Sequence, residues 1–273
     1  MNCSVDLHTH TTASDGQYTP TELVRLAKQN GIRVLAVTDH DTITGVDEAV
    51  AAGEALNLQI IRGVELSAKE HHNFHILGYG FQSGDTALSR LCERQRTIRE
   101  NRNQLILDYL RDHGIEIDLF EVEEQAGGDV IGRPHFAQVL VKRGYVSTRR
   151  EAFDRYLDNE EYRKKIPLLQ ADARTCVEAI KSSGGKASLA HPYQMGLPTD
   201  ELESLVVQLK DWGLDAIECY YPKYTPEQQA FYLHLTEKYK LHQTGGSDFH
   251  GEKVKPDIRL AKCPLELDWL IGT

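Results

Sequence analysis

The 273 residues are enough to bury one large core, while 41 acidic against 31 basic residues leave a formal net charge of -10. That balance argues against a broad electrostatic grip on nucleic acid or an anionic membrane, so any bound phosphate must be held by a local positive site. Five scattered cysteines, Cys3, Cys92, Cys176, Cys219 and Cys263, form no CxxC pair, no apolar run is long enough to span a bilayer, and the start lacks a basic-then-apolar pattern; a disulfide framework and a thiolate metal site are disfavoured, and a cytoplasmic, unexported protein is expected.

A first strand is expected to end in "VDLHTH". The next segment, "YTPTELVRLAKQNGI", reads as a helix with Thr19 as cap, Pro20 at the first helical position, Glu22 completing a capping box and Gly31 as the stop. "RVLAVTDHD" follows as an apolar, β-prone run of the kind buried on both faces. Further strands are expected in "LQIIRGVELS", "NFHILGYGF", "GGKASLAHP", "LDAIECYY" and "HQTGGSDFH", with helices over 200–212 and 226–240 between the later ones. Alternating strands and helices with apolar strands predict a parallel sheet, and the number of units suits a closed or nearly closed barrel. Residues 86–165 differ, because "LSRLCERQRTIRENRNQLILDYLRDHG" and "TRREAFDRYLDNEEYRKK" look helical with no convincing strand between them. The expected organisation is therefore a barrel made of 1–85 and 166–273, interrupted by a helical insertion over 86–165.

Metal-capable residues fall at the ends of these strands. His8 and His10 end the first, His40 the second and Glu65 the third; His75 is in the fourth, His191 follows "ASLA", and Asp248 and His250 close the last. In barrels of this type the active site is built at the C-terminal face, so residues far apart in sequence converge there. The spacing of two in HxH and DxH sets both side chains on one face of an extended strand. With Asp15 in the turn after the first strand, the set holds six histidines and three carboxylates, enough for two or three ions bound through nitrogen and oxygen. The lack of cysteine disfavours a structural zinc site and favours a catalytic one. Three carboxylates cannot neutralise several divalent ions, so the pocket is expected to be locally positive and suited to an anionic phosphate ester. His71, His72, His113, His234 and His242 have loop or helical contexts that give no reason to aim them at the site, and Asp41 and Asp47 read as turn or helix-start residues.

Taken together, "DLHTHTTASDG", "LAVTDHDTITG", "GVELSA", "HILGYGF", "LAHP" and "GGSDFHG" resemble the PHP family (polymerase and histidinol phosphatase), and more closely its bacterial branch of nucleotide phosphatases and RNase AM-like 5′-to-3′ exonucleases. The resemblance implies an α/β fold, a distorted (β/α)₇ TIM-like barrel, and a centre of two or three divalent ions, usually Mn2+, with Zn2+ or Fe2+ as alternatives. It implies His8 and His10 on one ion with Glu65 and Asp248, His75 and His191 on a second bridged by Glu65, and Asp15, His40 and His250 on a third. Asp248, His191 and His250 are the ligands expected to matter most for catalysis.

"IGRPH", residues 131–135, resembles the branch's phosphate-recognition element and suggests Arg133 and His135 as anchors for a second phosphate, with Pro134 fixing an extended bend. By the same analogy "RTIRENRNQ" offers Arg99, Asn101 and Arg102; for Arg99 a solvated helix face is an equal alternative. The expected substrates are a nucleotide 3′,5′-bisphosphate or a short 5′-phosphorylated oligonucleotide of RNA or DNA, with no membrane and no obligate protein partner. The rival readings are a histidinol-phosphate phosphatase and a phosphate or metal sensor without turnover. No residue is singled out as a general acid for the leaving group.

Overall fold

The computed structural model describes residues 4–126, 131–167 and 169–271, so Cys3 lies outside the described residues. Eight strands form one sheet: β1 (Ser4–Asp6), β2 (Val34–Val37), β3 (Gln59–Ser67), β4 (His75–Tyr79), β5 (Lys186–Leu189), β6 (Ala216–Tyr220), β7 (His242–Gly245) and β8 (Cys263–Pro264), in the order β7-β6-β5-β4-β3-β2-β1-β8. Beyond β1 and β7 the two ends of the sheet meet. Leu7 N donates to Gly245 O (3.1 Å), Asp248 N to His8 O (2.8 Å) and His10 N to Phe249 O (2.9 Å), which curls the sheet into a nearly closed barrel.

The helices that pack outside it follow from local chemistry. α1 (Pro20–Gln29) starts at Thr19 with the capping box to Glu22, ends at Asn30 before Gly31 at φ +75°, and buries Leu23, Val24 and Ala27. α2 (Val46–Leu56) buries Ala49 in the same cluster, against Leu35 and Val37 of β2.

The sheet is not wholly parallel, as the strand–helix alternation predicts. β4 runs antiparallel to both β3 and β5, and β8, which the sequence reading does not anticipate, runs antiparallel to β1. The physical reason is the link between β3 and β4, residues 68–74, which carries no helix and is too short for a parallel crossover. The reversal has a positional effect. His75 is the first residue of β4, and so lies at the same rim as the C-terminal ends of the parallel strands.

Residues 86–165 contribute α3 (Ala87–Asp112), α4 (Leu119–Ala126), α5 (Arg133–Lys142), α6 (Arg149–Ala152), a π-helical turn over Phe153–Leu157 and α7 (Glu160–Lys165), with no strand among the described residues. These helices close over a hydrophobic cluster of their own, built around Ile106, Leu110, Val122, Phe136, Leu140 and Leu157. Packing does not break at residue 86, however. Leu88, Leu91 and Cys92 at the start of α3 belong to the barrel's cluster, so this one helix is embedded in both cores. The remaining helices, α8 (Ala173–Ser182), α9 (Thr199–Asp211), α10 (Pro226–Tyr239) and α11 (Asp268–Ile271), return to the barrel.

The closure of the barrel depends on a residue without a side chain. A Cβ at Gly246 would overlap the Cβ and backbone nitrogen of His8. Gly246→Ala is therefore expected to force the ends of β1 and β7 apart and cost about 1–3 kcal/mol of stability, read as a lower midpoint in thermal unfolding followed by circular dichroism. An unchanged midpoint would mean that the seam tolerates the methyl.

Candidate metal centre

The HxH pair follows β1, and both imidazoles are buried, with ring centroids 5.3 Å apart. The DxH pair does not behave as a plain extended strand. Asp248 has φ +56°, a left-handed conformation it shares with Asp41 (φ 53°), while His191 stands at φ 22°. Non-glycine residues in such regions cost of order 1–3 kcal/mol each, and three at one rim indicate that the surrounding structure imposes their directions.

The result is a buried cluster around Glu65. One oxygen, Oε1, is 2.7 Å from His75 Nδ1 and 2.8 Å from His191 Nε2; the other, Oε2, is 3.3 Å from His8 Nε2, 3.2 Å from His10 Nε2 and 3.0 Å from His40 Nδ1. Asp248 Oδ1 is 3.4 Å from His10 Nε2 and 3.3 Å from His250 Nδ1, and Asp15 Oδ1 is 3.2 Å from His250 Nε2. All nine sequence-predicted ligands thus come together, in four overlapping groups with cation-binding spacing: His10, Asp15, His40 and His250; His8, Glu65 and His191; His8, His10 and Asp248; and His40, Glu65 and His75.

The donor chemistry fits cations. His8 Nε2, both ring nitrogens of His10, His40 Nδ1 and Glu65 Oε2 are buried without a hydrogen-bond partner, a costly arrangement unless an ion satisfies them. Burial alone would raise the carboxyls of Asp15, Glu65 and Asp248; the imidazoles around them, and Lys255 beside Asp248, outweigh it and hold all three well below the usual carboxylate range. Burial is the largest influence on His40, His75 and His250 and lowers all three. His10 is the reverse case: burial lowers it, but Asp248 and Glu65 prevail and push it up to about 9. A carboxylate cage that holds a proton on an imidazole holds a divalent cation by the same attraction.

A second layer fixes the ligands. His8 Nδ1 donates to Glu218 Oε1 at 3.0 Å, which turns its Nε2 toward Glu65, and Glu218 Oε2 accepts from the backbone nitrogen of His191 at 2.8 Å. His250 Nδ1 donates to the Asp248 carbonyl at 2.9 Å, leaving Nε2 toward Asp15. Asp39 accepts from Thr11 N (2.7 Å), Thr11 Oγ1 (2.6 Å) and Ser14 Oγ (2.6 Å), which pins the loop that carries Asp15; Asp6 does the same for Ser247. On the outer side of Asp248, Oδ2 accepts from Lys255 Nζ (2.7 Å) and Tyr221 OH (2.9 Å). The sequence reading misses Glu218, Asp39, Asp6, Lys255 and Tyr221. A lone acid inside an apolar strand such as "AIECYY" is the signal that could have exposed Glu218.

Above the cluster lies a cavity of about 360 Å³ that carries Arg99, Arg102, Arg133 and Arg149 on its walls together with His40, His75, His191, Asp248 and His250. Arg102 is buried and lines it, bound to Ile131 O at 3.0 Å; burial, aided by Arg99, lowers its guanidinium to about 9. Arg133 also lines it and pairs with Asp158 at 3.0 Å. "IGRPH" is not an extended bend, as the proline suggests, but the start of α5: the extended residue is Gly132 (φ -111°, ψ 167°), and Arg133 opens the helix with Pro134 in its first turn. His135 is outside this cavity. Its Nδ1 accepts from Gly132 N at 3.0 Å and caps the helix, and it lines an adjoining cavity that shares Asp15.

Asn101 is exposed and outside the cavity lining, because on a helix the buried face of Arg99, Arg102 and Asn103 turns residue 101 to solvent. Arg99 is not a solvated face. It is buried, with Nε 2.7 Å from Asp41 Oδ2 and Nη2 2.8 Å from Ser67 Oγ, so Asp41 is more than a turn residue: it ties α3 to the rim beside His40. Asp47 does lie in the first turn of α2. His71 and His72 depart from expectation, since both line the cavity mouth.

A buried cluster of histidines and carboxylates with cation-binding spacing, at the rim of a nearly closed α/β barrel, has the make-up of a metal-dependent hydrolase site. The PHP domain family matches residues 6–171, and the chain belongs to that family. It is 37% identical to a 5′-3′ exoribonuclease of Haemophilus influenzae over 92% of this chain and 91% of the relative. It is 33% identical to a phosphoribosyl 1,2-cyclic phosphate 1,2-diphosphodiesterase of Eggerthella lenta (90% and 94%) and 30% identical to a 3′,5′-nucleoside bisphosphate phosphatase of Chromobacterium violaceum (90% and 87%). A solved structure from Bifidobacterium adolescentis, described as a metal-dependent phosphoesterase, superposes with a TM-score of 0.84 at 31% identity, covering 97% of this chain and 93% of that one. The protein is accordingly a PHP phosphoesterase and a hydrolase. No described helix is long and apolar enough to cross a membrane.

Glu218→Gln keeps volume but cannot accept from both His8 Nδ1 and His191 N, since a carboxamide has one acceptor oxygen. The expected outcome is about 10- to 100-fold weaker cation binding, measured by calorimetric titration of manganese into metal-stripped protein. Wild-type affinity in the variant would remove Glu218 from this role.

Proposed function

We propose that this phosphoesterase cuts the 3′-phosphate ester of a nucleoside that also carries a 5′-phosphate, either in a nucleotide 3′,5′-bisphosphate or at the 5′ end of short RNA or DNA. The observation that supports this reading is the single cavity that joins the ligand cluster to an arginine wall within a chain of net charge -10. Two phosphates one nucleoside apart have two separate holders there. The names of the H. influenzae and C. violaceum relatives describe a polymer and a small-molecule version of this cut.

In this reading His8, His10, Glu65 and Asp248 hold one ion, His75 and His191 with Glu65 a second, and Asp15, His40 and His250 a third, with Mn2+ the ion of choice and Zn2+ or Fe2+ the alternatives. Bound cations would supply Lewis acidity toward the phosphoryl oxygens and activate water at neutral pH. Asp248, His191 and His250 act as ligands, the first two on backbone whose direction the fold imposes, so they set where the ester must lie. Arg133 and Arg102 hold the 5′-phosphate through planar guanidinium donors. His135 supports them by capping the helix that Arg133 opens. The helical segment 86–165 is the selecting unit, and the acidic surface favours short chains over long ones. The buried thiols of Cys92, Cys176, Cys219 and Cys263 suit a reducing cytoplasm. The four-arginine wall favours a doubly phosphorylated substrate over histidinol phosphate, and the intact ligand set favours turnover over a sensor that has lost it.

The test is to give manganese-loaded protein adenosine 3′,5′-bisphosphate, a 5′-phosphorylated RNA pentamer, a ribose cyclic phosphate and histidinol phosphate, with Asp248→Ala as the blank, and to resolve products by chromatography. Release of inorganic phosphate from the bisphosphate or of mononucleotides from the RNA is the expected result; preference for either of the other two compounds would sink the reading. Arg133→Ala should lower kcat/KM on the bisphosphate by about 10-fold or more while sparing a simple phosphomonoester. Equal losses on both would deny Arg133 its part.

A further inference from the structure

We infer that Lys255 is a phosphoryl-holding residue of this enzyme, stored on Asp248 until cations bind there and then presented to the substrate by a loop that Arg149 of the helical segment keeps in place. The inference rests on the phosphoesterase reading and adds to it a cation on the metal side of the cavity. Its starting point is the asymmetry of Asp248. Oδ1 faces inward to His10 and His250, whereas Oδ2 faces outward and accepts from Lys255 Nζ at 2.7 Å and from Tyr221 OH at 2.9 Å.

Lys255 lines the cavity, and its side chain is 32% exposed there. A lysine in that place is electrostatically at odds with a cation centre. Divalent ions bound on the Oδ1 side neutralise Asp248 and repel the ammonium, and burial of their neighbours makes that repulsion stronger than in water. The side chain has a flexible four-carbon stem and one direction with favourable charge, the cavity interior, where the substrate phosphoryl group is held. Tyr221 remains on Oδ2, so Asp248 keeps its single inward ligand oxygen after the lysine leaves.

The loop behind Lys255 is anchored. Lys255 N donates to Gly251 O at 2.8 Å, and Lys253 N to Gln17 Oε1 at 2.8 Å. Arg149, from the helical segment, donates through Nη1 to Val254 O and through Nη2 to Lys253 O, both at 2.8 Å, while its Nε is held by Gln138 Oε1 at 2.6 Å. Every nitrogen of that guanidinium is engaged with protein, so although Arg149 lines the cavity its part is to position the loop, and it acts through Lys255.

The experiment measures inorganic phosphate binding to manganese-loaded protein by calorimetry, manganese binding to metal-stripped protein, and kcat and KM on adenosine 3′,5′-bisphosphate. For Lys255→Met, phosphate is expected to bind about 10- to 100-fold more weakly, the span of hydrogen bonds between charged groups, with manganese binding equal or tighter because a competing cation has gone. Lys255→Arg should recover most of the phosphate affinity. Arg149→Gln should weaken phosphate binding in the same direction, and the double variant Arg149→Gln, Lys255→Met should be no worse than Lys255→Met alone. Wild-type phosphate affinity in Lys255→Met, or manganese binding that weakens instead, would overturn the assignment. If the wild-type protein itself fails to hydrolyse the bisphosphate, it is the proposed substrate that fails, since the phosphate titration still reports on Lys255.

Discussion

Five imidazoles on a single buried carboxylate are the constraint on which this molecule is organised. Glu65 touches His8, His10, His40, His75 and His191, and those residues come from four different strands or strand ends. No one segment could gather them. The barrel is what brings their backbones within reach, and the cost of burying so many polar atoms is recovered only when cations occupy the space between them. Much of what surrounds the centre serves that gathering: Glu218 fixes one tautomer, Asp39 and Asp6 pin the loops on either side, and left-handed backbone at Asp41 and Asp248 turns the chain where a strand would carry a side chain past the site.

Much of this was legible in the sequence, for reasons that can be stated residue by residue. Polar residues at the ends of apolar runs are conspicuous, so His8, His40, Glu65 and His191 stand out against their neighbours, and α1 announces itself through Thr19, Pro20 and Glu22. What escaped was information held between segments. The direction of β4 is decided by the short link over 68–74, which reads like any other loop. Asn101 and Arg102 differ by one position, yet a helix turns them to different faces; only the packing of α3 says which face meets the cavity. Arg99 and Asp41 are each unremarkable alone, and their pairing across 58 positions is a tertiary fact. Pro134 misleads because the same residue suits an extended bend and the first turn of a helix.

The reversed strand has a further effect. With β4 inverted, the chain leaves its last residue, Tyr79, at the face opposite the metal ligands, and it must travel back past the barrel before it can cover the site. α3 makes that journey in one piece, 26 residues and about 39 Å at 1.5 Å per residue. It is buried against the barrel at Leu88 and Leu91, passes the rim at Gln95 and Arg99, and is buried again at Ile106 and Leu110 in the outer cluster.

A helix anchored in two cores behaves as a strut rather than as a hinge. The covering helices cannot tilt toward or away from the ligands without breaking its hydrogen bonds or emptying one of the clusters, so the separation between the arginine wall and the cation centre is a built-in length. If the proposed substrate is the right one, such a length would work as a gauge, set in the protein before the nucleotide arrives, for the span between the phosphate recognised and the phosphate cut.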